Sequence, residues 1–202
     1  VDTTKMATVK NARSSSTAEN RYVFRTRGTL PLVLSAPHGG TIKPEGWTAI
    51  SSRPVDSRTL ELAQQVSQNL KRKVGKKPHL VYSTAHRQTM DPNRCLKSDT
   101  RNAAKSKAAK GAHRLYHKML AKAVSLARKQ SNEKRVVLLD FHGCKNYGQS
   151  PKIQLGFGPR YNEERMRNRT LKVNTRIRGK GSLGSLLWEQ GLEATPSYEC
   201  KY

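Results

Sequence analysis

The chain has 202 residues, with 39 Lys plus Arg against 14 Asp plus Glu and a formal charge of +25, well beyond the magnitude of about 2 to 8 that suffices to keep a small domain soluble. Its 35% hydrophobic content is enough to build a folded core, whereas no stretch approaches the roughly 20 apolar residues of a bilayer span. Three cysteines, Cys95, Cys144 and Cys200, are too few for a disulfide scaffold.

Residues 1–20 are polar and include Ser14, Ser15 and Ser16 in a row, and VDTTKMATVK at 1–10 lacks the apolar core of a signal peptide. They are expected to form an N-terminal arm, with a single domain over 21–202. Arg21 to Thr26 reads as an edge strand. PLVLSA at 31–36 reads as a strand that empties into Pro37-His38-Gly39-Gly40. Leu60, Val66 and Leu70 mark a helix over 56–72. HLVYST at 79–84 is a further buried strand, and the polar run from Ala85 to Asn102, broken by Pro92, is a loop. From Ala103 to Gln130, Leu115, Met119, Val124 and Leu126 with the alanines give the apolar stripe of the longest helix. RVVLLD at 135–140 has the continuous apolar character of a central parallel strand and delivers His142. KIQLGFG at 152–158 is a weaker strand, a short helix starts at Ser182, and a last strand runs through Thr195 to Cys200. Strands alternating with helices predict a three-layer α/β/α sandwich with a mixed, largely parallel sheet, with ligands bound beyond the carboxyl ends of its strands.

The supply of metal-binding side chains is small: 14 acids and six histidines. His38 and His142 both follow apolar strands and both precede glycine, so a sheet can bring them together. Two imidazoles suit zinc, whose catalytic sites usually take three protein ligands, so a carboxylate is expected to complete the set. Glu45, in the loop after His38, is the preferred candidate and Asp56 its competitor; as a helix cap, Asp56 has an ordinary explanation. His113 and His117 share a helix face at i,i+4 spacing, but their neighbours Arg114, Lys118 and Lys122 are basic and the glutamate of an H-E-x-x-H site is missing, so this pair reads as a solvated face. Cys95, next to Arg94, is expected to point behind the site as a buried thiol.

The run SAPHGGTIKPEG at 35–46, the loop DPNR at 91–94, DFHG at 140–143 and the terminal TPSYE together resemble the N-formylglutamate amidohydrolase family and the related phage-type poly-gamma-glutamate hydrolases, within a superfamily similar to the zinc carboxypeptidases. The resemblance covers about 30 to 200. It implies a zinc-carboxypeptidase-like fold holding Zn2+ on His38, Glu45 and His142. The carboxypeptidase pattern of a glutamate three residues after the first histidine is absent, since residue 41 is Thr, which favours the HGG-type branch. Asn93 and Arg94 resemble the pair that engages a substrate carboxylate, Arg160 in GFGPR is a further anion-binding candidate, and Glu199 resembles the general base. Arg87 or Arg160 is expected to meet oxyanion charge. The implied reaction is hydrolysis of an amide near a carboxylate, as in an N-acyl amino acid, a glutamyl amide or a peptide, on an acidic or carboxylate-bearing substrate.

The basic residues add a second reading. Lys71, Arg72, Lys73, Lys76 and Lys77 cluster, and from Lys97 through Lys129 the only acid is Asp99. Such a field attracts anionic polymers: nucleic acid, polysaccharide or an acidic matrix. Aromatic residues are only 6% of the chain and do not interleave with the basic runs, which disfavours single-stranded nucleic acid. The alternative to an enzyme is therefore a non-catalytic polymer-binding protein on an enzyme-like scaffold, and an extracellular location is slightly favoured.

Overall fold

The computed structural model describes residues 21–96, 102–143, 153–156 and 179–195. The expected arm at 1–20, Arg160, Glu199, Cys144, Cys200 and most of the basic stretch 163–180 lie outside the described residues. Two compact units divide at Gly143 and Cys144.

The first unit runs β1 (Val23–Thr26), β2 (Leu32–Ala36), α1 (Thr59–Val74), β3 (His79–Ser83), α2 (Lys107–Lys129) and β4 (Val137–Asp140). Its strands form one mixed sheet in the order β1-β3-β2-β4; β3 is antiparallel to β1, while β2 lies parallel to both β3 and β4. The parallel β2 and β3 need a crossover, which α1 supplies.

Residues of β2 alternate between two cores. Val33 joins Val23 and Val81 against Ala112, Tyr116, Ala123 and Ala127 of α2. Its neighbour Leu34 joins Ala36 and Leu80 against Ala63, Leu60 and Val66 of α1. Successive strand side chains point to opposite faces, so a strand with both neighbours at 0% exposure must be covered from both sides, and LVLSA has no polar position to spare for water. The buried alanines of α2 bring that helix close to the sheet, and Tyr116 reaches across to place its hydroxyl 2.6 Å from Ser35 Oγ.

Helix ends follow local chemistry. Ser106 caps α2, its hydroxyl accepting from the Ala109 N–H. Gly75 ends α1 in the left-handed region at φ 68°, its N–H returned to the Lys71 carbonyl. β4 differs from expectation: among the described residues it pairs on one side only, with Val137 57% exposed, so it is an edge rather than a central strand there.

The second unit has a two-stranded parallel sheet, β5 (Ile153–Gln154) with β6 (Ala194–Thr195), and the short helix α3 (Leu183–Glu189). Ser182 caps α3, and Trp188 Nε1 donates to the Ala194 carbonyl at 2.7 Å. No helix among the described residues is long and apolar enough to cross a membrane.

Candidate metal centre

Three parallel strand ends converge. The register pairs Ser35 of β2 with Asp140 of β4 and Ala36 of β2 with Tyr82 of β3, so the chain leaving each strand emerges on one edge of the sheet. From β2 comes His38, from β4 comes His142, and from the loop after β3 come Arg87, Asp91, Asn93 and Arg94. The two glycines after His38 are required by space. A Cβ on Gly39 would lie 2.6 Å from the Leu60 nitrogen, and one on Gly40 would lie 2.3 Å from the Thr84 carbonyl carbon. The loop is thus wedged between the start of α1 and the end of β3.

Asp56 completes the cluster. Its N–H donates to the His38 carbonyl at 3.1 Å, and its own carbonyl accepts from the Thr59 N–H and from Thr59 Oγ1 at 2.7 Å. These bonds fix the residue where α1 begins. Its side chain turns inward: Oδ2 stands 3.3 Å from His38 Nδ1 and 3.0 Å from His142 Nδ1, and the two Nδ1 atoms are 3.2 Å apart.

The far side of each ring decides what those three atoms offer. His38 Nε2 is 2.7 Å from Asp91 Oδ1, and His142 Nε2 is 2.8 Å from Asp140 Oδ2. A neutral imidazole carries one N–H, and a carboxylate at that distance claims it. With both rings neutral, the two Nδ1 lone pairs and the Asp56 oxygen then face one point with no hydrogen among them. Such a triangle is repulsive unless a cation or a proton sits in it. The dimensions fit a tetrahedral zinc ion, whose bonds of about 2.0 to 2.1 Å set ligand atoms about 3.3 Å apart. The carboxylates behind the rings are the outer partners that metal-bound histidines usually have.

Without an ion, a proton carried by a histidine fills the same triangle, and the electrostatics describe that state. Asp140 bonding to Nε2 is the largest influence on His142 and raises its pKa against the opposing effect of burial, with Asp56 adding in the same direction. Burial would raise the Asp56 carboxyl, but its bond to His142 and the His38 and Arg87 charges together hold it below the usual range. Asp91 behaves alike: burial opposes ionisation, yet His38, Arg87 and the Asn93 N–H bring its pKa to about 2. The site is built to hold negative charge and to welcome a positive one.

Glu45 is not in this cluster. It lies exposed in a loop whose backbone is tied elsewhere: the Ile42 N–H to the Thr84 carbonyl, the His86 N–H to the Ile42 carbonyl, and the Ile50 N–H to the Gln88 carbonyl. Those bonds lay the loop along 84–88, and the carboxylate beside the two histidines is that of Asp56.

Of the expected substrate-binding residues, Asn93 and Arg94 line the cleft around the cluster together with Arg53 and Arg87. The Asn93 side-chain amide reaches to 2.9 Å from His142 Nε2; with that nitrogen's hydrogen on Asp140, the amide end that suits the contact is its oxygen. Arg94 Nε is 3.6 Å from Asp91 Oδ2. Arg87 gives Nη1 to Asp56 Oδ1 at 2.6 Å and Nη2 to Asp91 Oδ2 at 3.4 Å, so it braces both acids. Arg53 contributes a third arginine to a cleft whose acids are Asp56 and Asp91.

Two further expectations meet the structure differently. His113 and His117 are a solvated face only at His117: His113 is buried, His117 is exposed, and both rings bond backbone carbonyls of the 91–94 loop. Burial is the main cause that depresses the His113 pKa, keeping the ring neutral. Cys95 is exposed rather than tucked behind the site. His86 turns to its own loop, its Nδ1 accepting from the Gln88 N–H at 3.0 Å.

No family model and no curated protein matches the chain. Among solved structures it is similar to an N-formylglutamate amidohydrolase from Ralstonia eutropha JMP134, with 18% identity and a TM-score of 0.50 over 86% of this chain and 74% of that one. At that identity the likeness is one of fold, a mixed α/β architecture with a mixed sheet.

Proposed function

We propose that the chain is a zinc-dependent amidohydrolase or peptidase that cleaves a C–N amide bond close to a substrate carboxylate, such as an N-acyl amino acid or a glutamyl amide. The observation that carries the proposal is the triangle of His38 Nδ1, Asp56 Oδ2 and His142 Nδ1, with sides of 3.0 to 3.3 Å. The fold likeness to an N-formylglutamate amidohydrolase supports amide hydrolysis, and the motif resemblance carries the further proposal of a three-layer α/β/α sandwich of zinc-carboxypeptidase type. Poly-gamma-glutamate hydrolases are the neighbouring branch.

In this reading His38, Asp56 and His142 hold Zn2+, with Asp56 in the role first given to Glu45. Zinc so held lowers the pKa of a bound water and polarises a carbonyl. The protein's own groups do the rest. Asp91 and Asp140 keep the imidazoles in the tautomer that presents Nδ1. Arg87 fixes the orientation of Asp56 and supplies positive charge beside the reacting centre. Asn93 and Arg94, with Arg160, take the substrate carboxylate, for which a planar guanidinium offers paired charge-assisted bonds. Glu199 accepts the proton of the attacking water and passes it to the departing amine. The cleft carries three arginines against two aspartates, a balance that favours an anionic substrate before any metal is counted.

The basic exterior has a separate observation behind it. Lys107, Arg114, Lys118 and Lys122 are exposed along α2, and no acid is present from Asn102 to Asn132 to relieve like-charge pairs at i,i+4. We read this face as attracting an anionic polymer or surface, and a non-catalytic binding protein remains the alternative function.

The test is hydrolysis of N-formyl-L-glutamate and N-acetyl-L-glutamate by the purified chain with zinc and after chelation. The proposal predicts chelator-sensitive turnover, lost by roughly 10²- to 10⁴-fold in Glu199→Gln while zinc is retained. Full turnover in Glu199→Gln removes the base assignment. Stoichiometric absence of zinc and of hydrolysis favours the binding-protein reading.

A further inference from the structure

The loop that carries Asp91, Asn93 and Arg94 is short and irregular, yet it must place Asp91 against one histidine of the cluster and Asn93 against the other. Its own hydrogen bonds account for part of its shape: the Asp91 N–H donates to the Ala103 carbonyl at 2.8 Å, the Asn93 N–H to Asp91 Oδ1 at 3.0 Å, and the Arg94 N–H to the Asp91 carbonyl at 3.1 Å. Those bonds leave the Pro92 and Arg94 carbonyls, on either side of Asn93, to be satisfied from elsewhere. Helix α2 does so with two side chains one turn apart. His117 Nε2 lies 2.9 Å from the Pro92 oxygen, and His113 Nε2 lies 2.9 Å from the Arg94 oxygen. A carbonyl only accepts, so each ring must carry its hydrogen on Nε2.

We propose that His113 and His117 are positioning residues, a two-point clamp by which helix α2 sets the 91–94 loop and through it the placement of Asp91 on His38 and Asn93 on His142. Spacing of i,i+4 puts the two rings side by side, with centroids 4.7 Å apart, matching carbonyls two residues apart in the turn that the Arg94 N–H closes on Asp91. His113 is 6% exposed and its Nδ1 has no hydrogen-bond partner. The helix thus accepts a buried, unsatisfied ring nitrogen to keep one Nε2 donor on the loop, a cost that a leucine there would avoid. The consequence for metal binding rests on the zinc reading above; the clamp itself does not.

Two measurements on the 202-residue chain separate these. In the metal-free protein, amide hydrogen exchange at Asp91, Asn93 and Arg94 is compared among wild type, His113→Leu, His117→Leu and the corresponding glutamine variants, since glutamine keeps an N–H at nearly the Nε2 position. The clamp predicts exchange faster by about tenfold or more at those three amides in the leucine variants, with recovery in the glutamine ones. Unchanged exchange in His117→Leu, an exposed site that tolerates substitution, overturns it. So does a wild-type nitrogen-15 spectrum showing either ring as the Nδ1–H tautomer at neutral pH. In the second measurement, cobalt(II) replaces zinc. The clamp predicts cobalt affinity weakened about tenfold in His117→Leu, in the range for outer partners of metal ligands, with altered visible bands and rescue by glutamine. A wild-type chain that binds no cobalt overturns the metal reading and leaves the exchange result to decide the clamp. A wild type that binds cobalt, with His117→Leu equal to it in affinity, spectrum and exchange, overturns the clamp alone.

Discussion

Replacing Asp56 with asparagine keeps the shape of the side chain and removes its charge, which makes it the sharpest perturbation of the site. Asp56 is 7% exposed, and its two oxygens serve both histidines and Arg87, at 2.6 Å for the last. The charge is therefore only weakly screened by water, and its removal leaves Arg87 with Asp91 as its remaining acid at 3.4 Å. Removing one member of a buried charge set of this kind costs about 3 to 5 kcal/mol. If that cost falls on the metal-bound state, zinc affinity drops by about a hundredfold to a few thousandfold, at about 1.4 kcal/mol per decade. Glu45→Gln is the matched control, because Glu45 is exposed in a loop outside the cluster; its effect should stay within about 1 kcal/mol. Competition against a chromophoric chelator measures both. Equal affinity for Asp56→Asn and wild type, or a large loss confined to Glu45→Gln, refutes the ligand set derived from the geometry.

Other expectations follow from particular contacts. Gly40→Ala places a Cβ 2.3 Å from the Thr84 carbonyl carbon, and the backbone cannot yield there, so chemical denaturation of the metal-free protein should show a loss above about 3 kcal/mol. Gly46→Ala, in open space at φ 72°, should cost only about 1 kcal/mol. Tyr116→Phe strands Ser35 Oγ, which is 2% exposed, and should cost about 1 to 3 kcal/mol in the same assay. Asp91 should also shape the acid limb of the stability curve. Its folded pKa of about 2 lies below the ordinary 3.8, so its contribution is complete above the ordinary value and disappears as pH falls through the folded one. With allowance for solvent screening, about 1 to 2 kcal/mol is lost across that interval, and denaturation of metal-free Asp91→Asn should show a correspondingly shallower limb. A wild type and variant with parallel acid limbs would contradict the assigned cause.

Much of the scaffold was legible because burial writes itself into short apolar runs. LVLSA and HLVYS are strands, and both helices occupy the expected regions with ends shifted by a few residues. His38 and His142 were legible because a polar residue directly after a parallel strand sits at the sheet's ligand-binding edge. Asp56 was harder. It lies 18 residues from His38 in an irregular segment, and what brings it back is a backbone bond to the His38 carbonyl, which leaves no side-chain signature. Proximity in sequence favoured Glu45, but three backbone bonds carry that loop along 84–88. The i,i+4 histidines of α2 were visible as a pair, while their partners, the Pro92 and Arg94 carbonyls, belong to the backbone and have no letter in the sequence. RVVLLD reads as buried on both faces by composition alone; that β4 has a partner on one side among the described residues is a matter of pairing, which composition does not carry.

The central claim is that two imidazoles and one aspartate hold a zinc ion through Nδ1, Nδ1 and Oδ2. X-ray absorption on the zinc-loaded chain tests it most directly. The account predicts one zinc per chain, with two imidazole nitrogens and carboxylate oxygen at about 2.0 to 2.2 Å and no sulfur at about 2.3 Å, and a loss of the imidazole scattering when His38 and His142 are replaced. A chain that retains no zinc, or a spectrum dominated by sulfur or unchanged by those replacements, would contradict it.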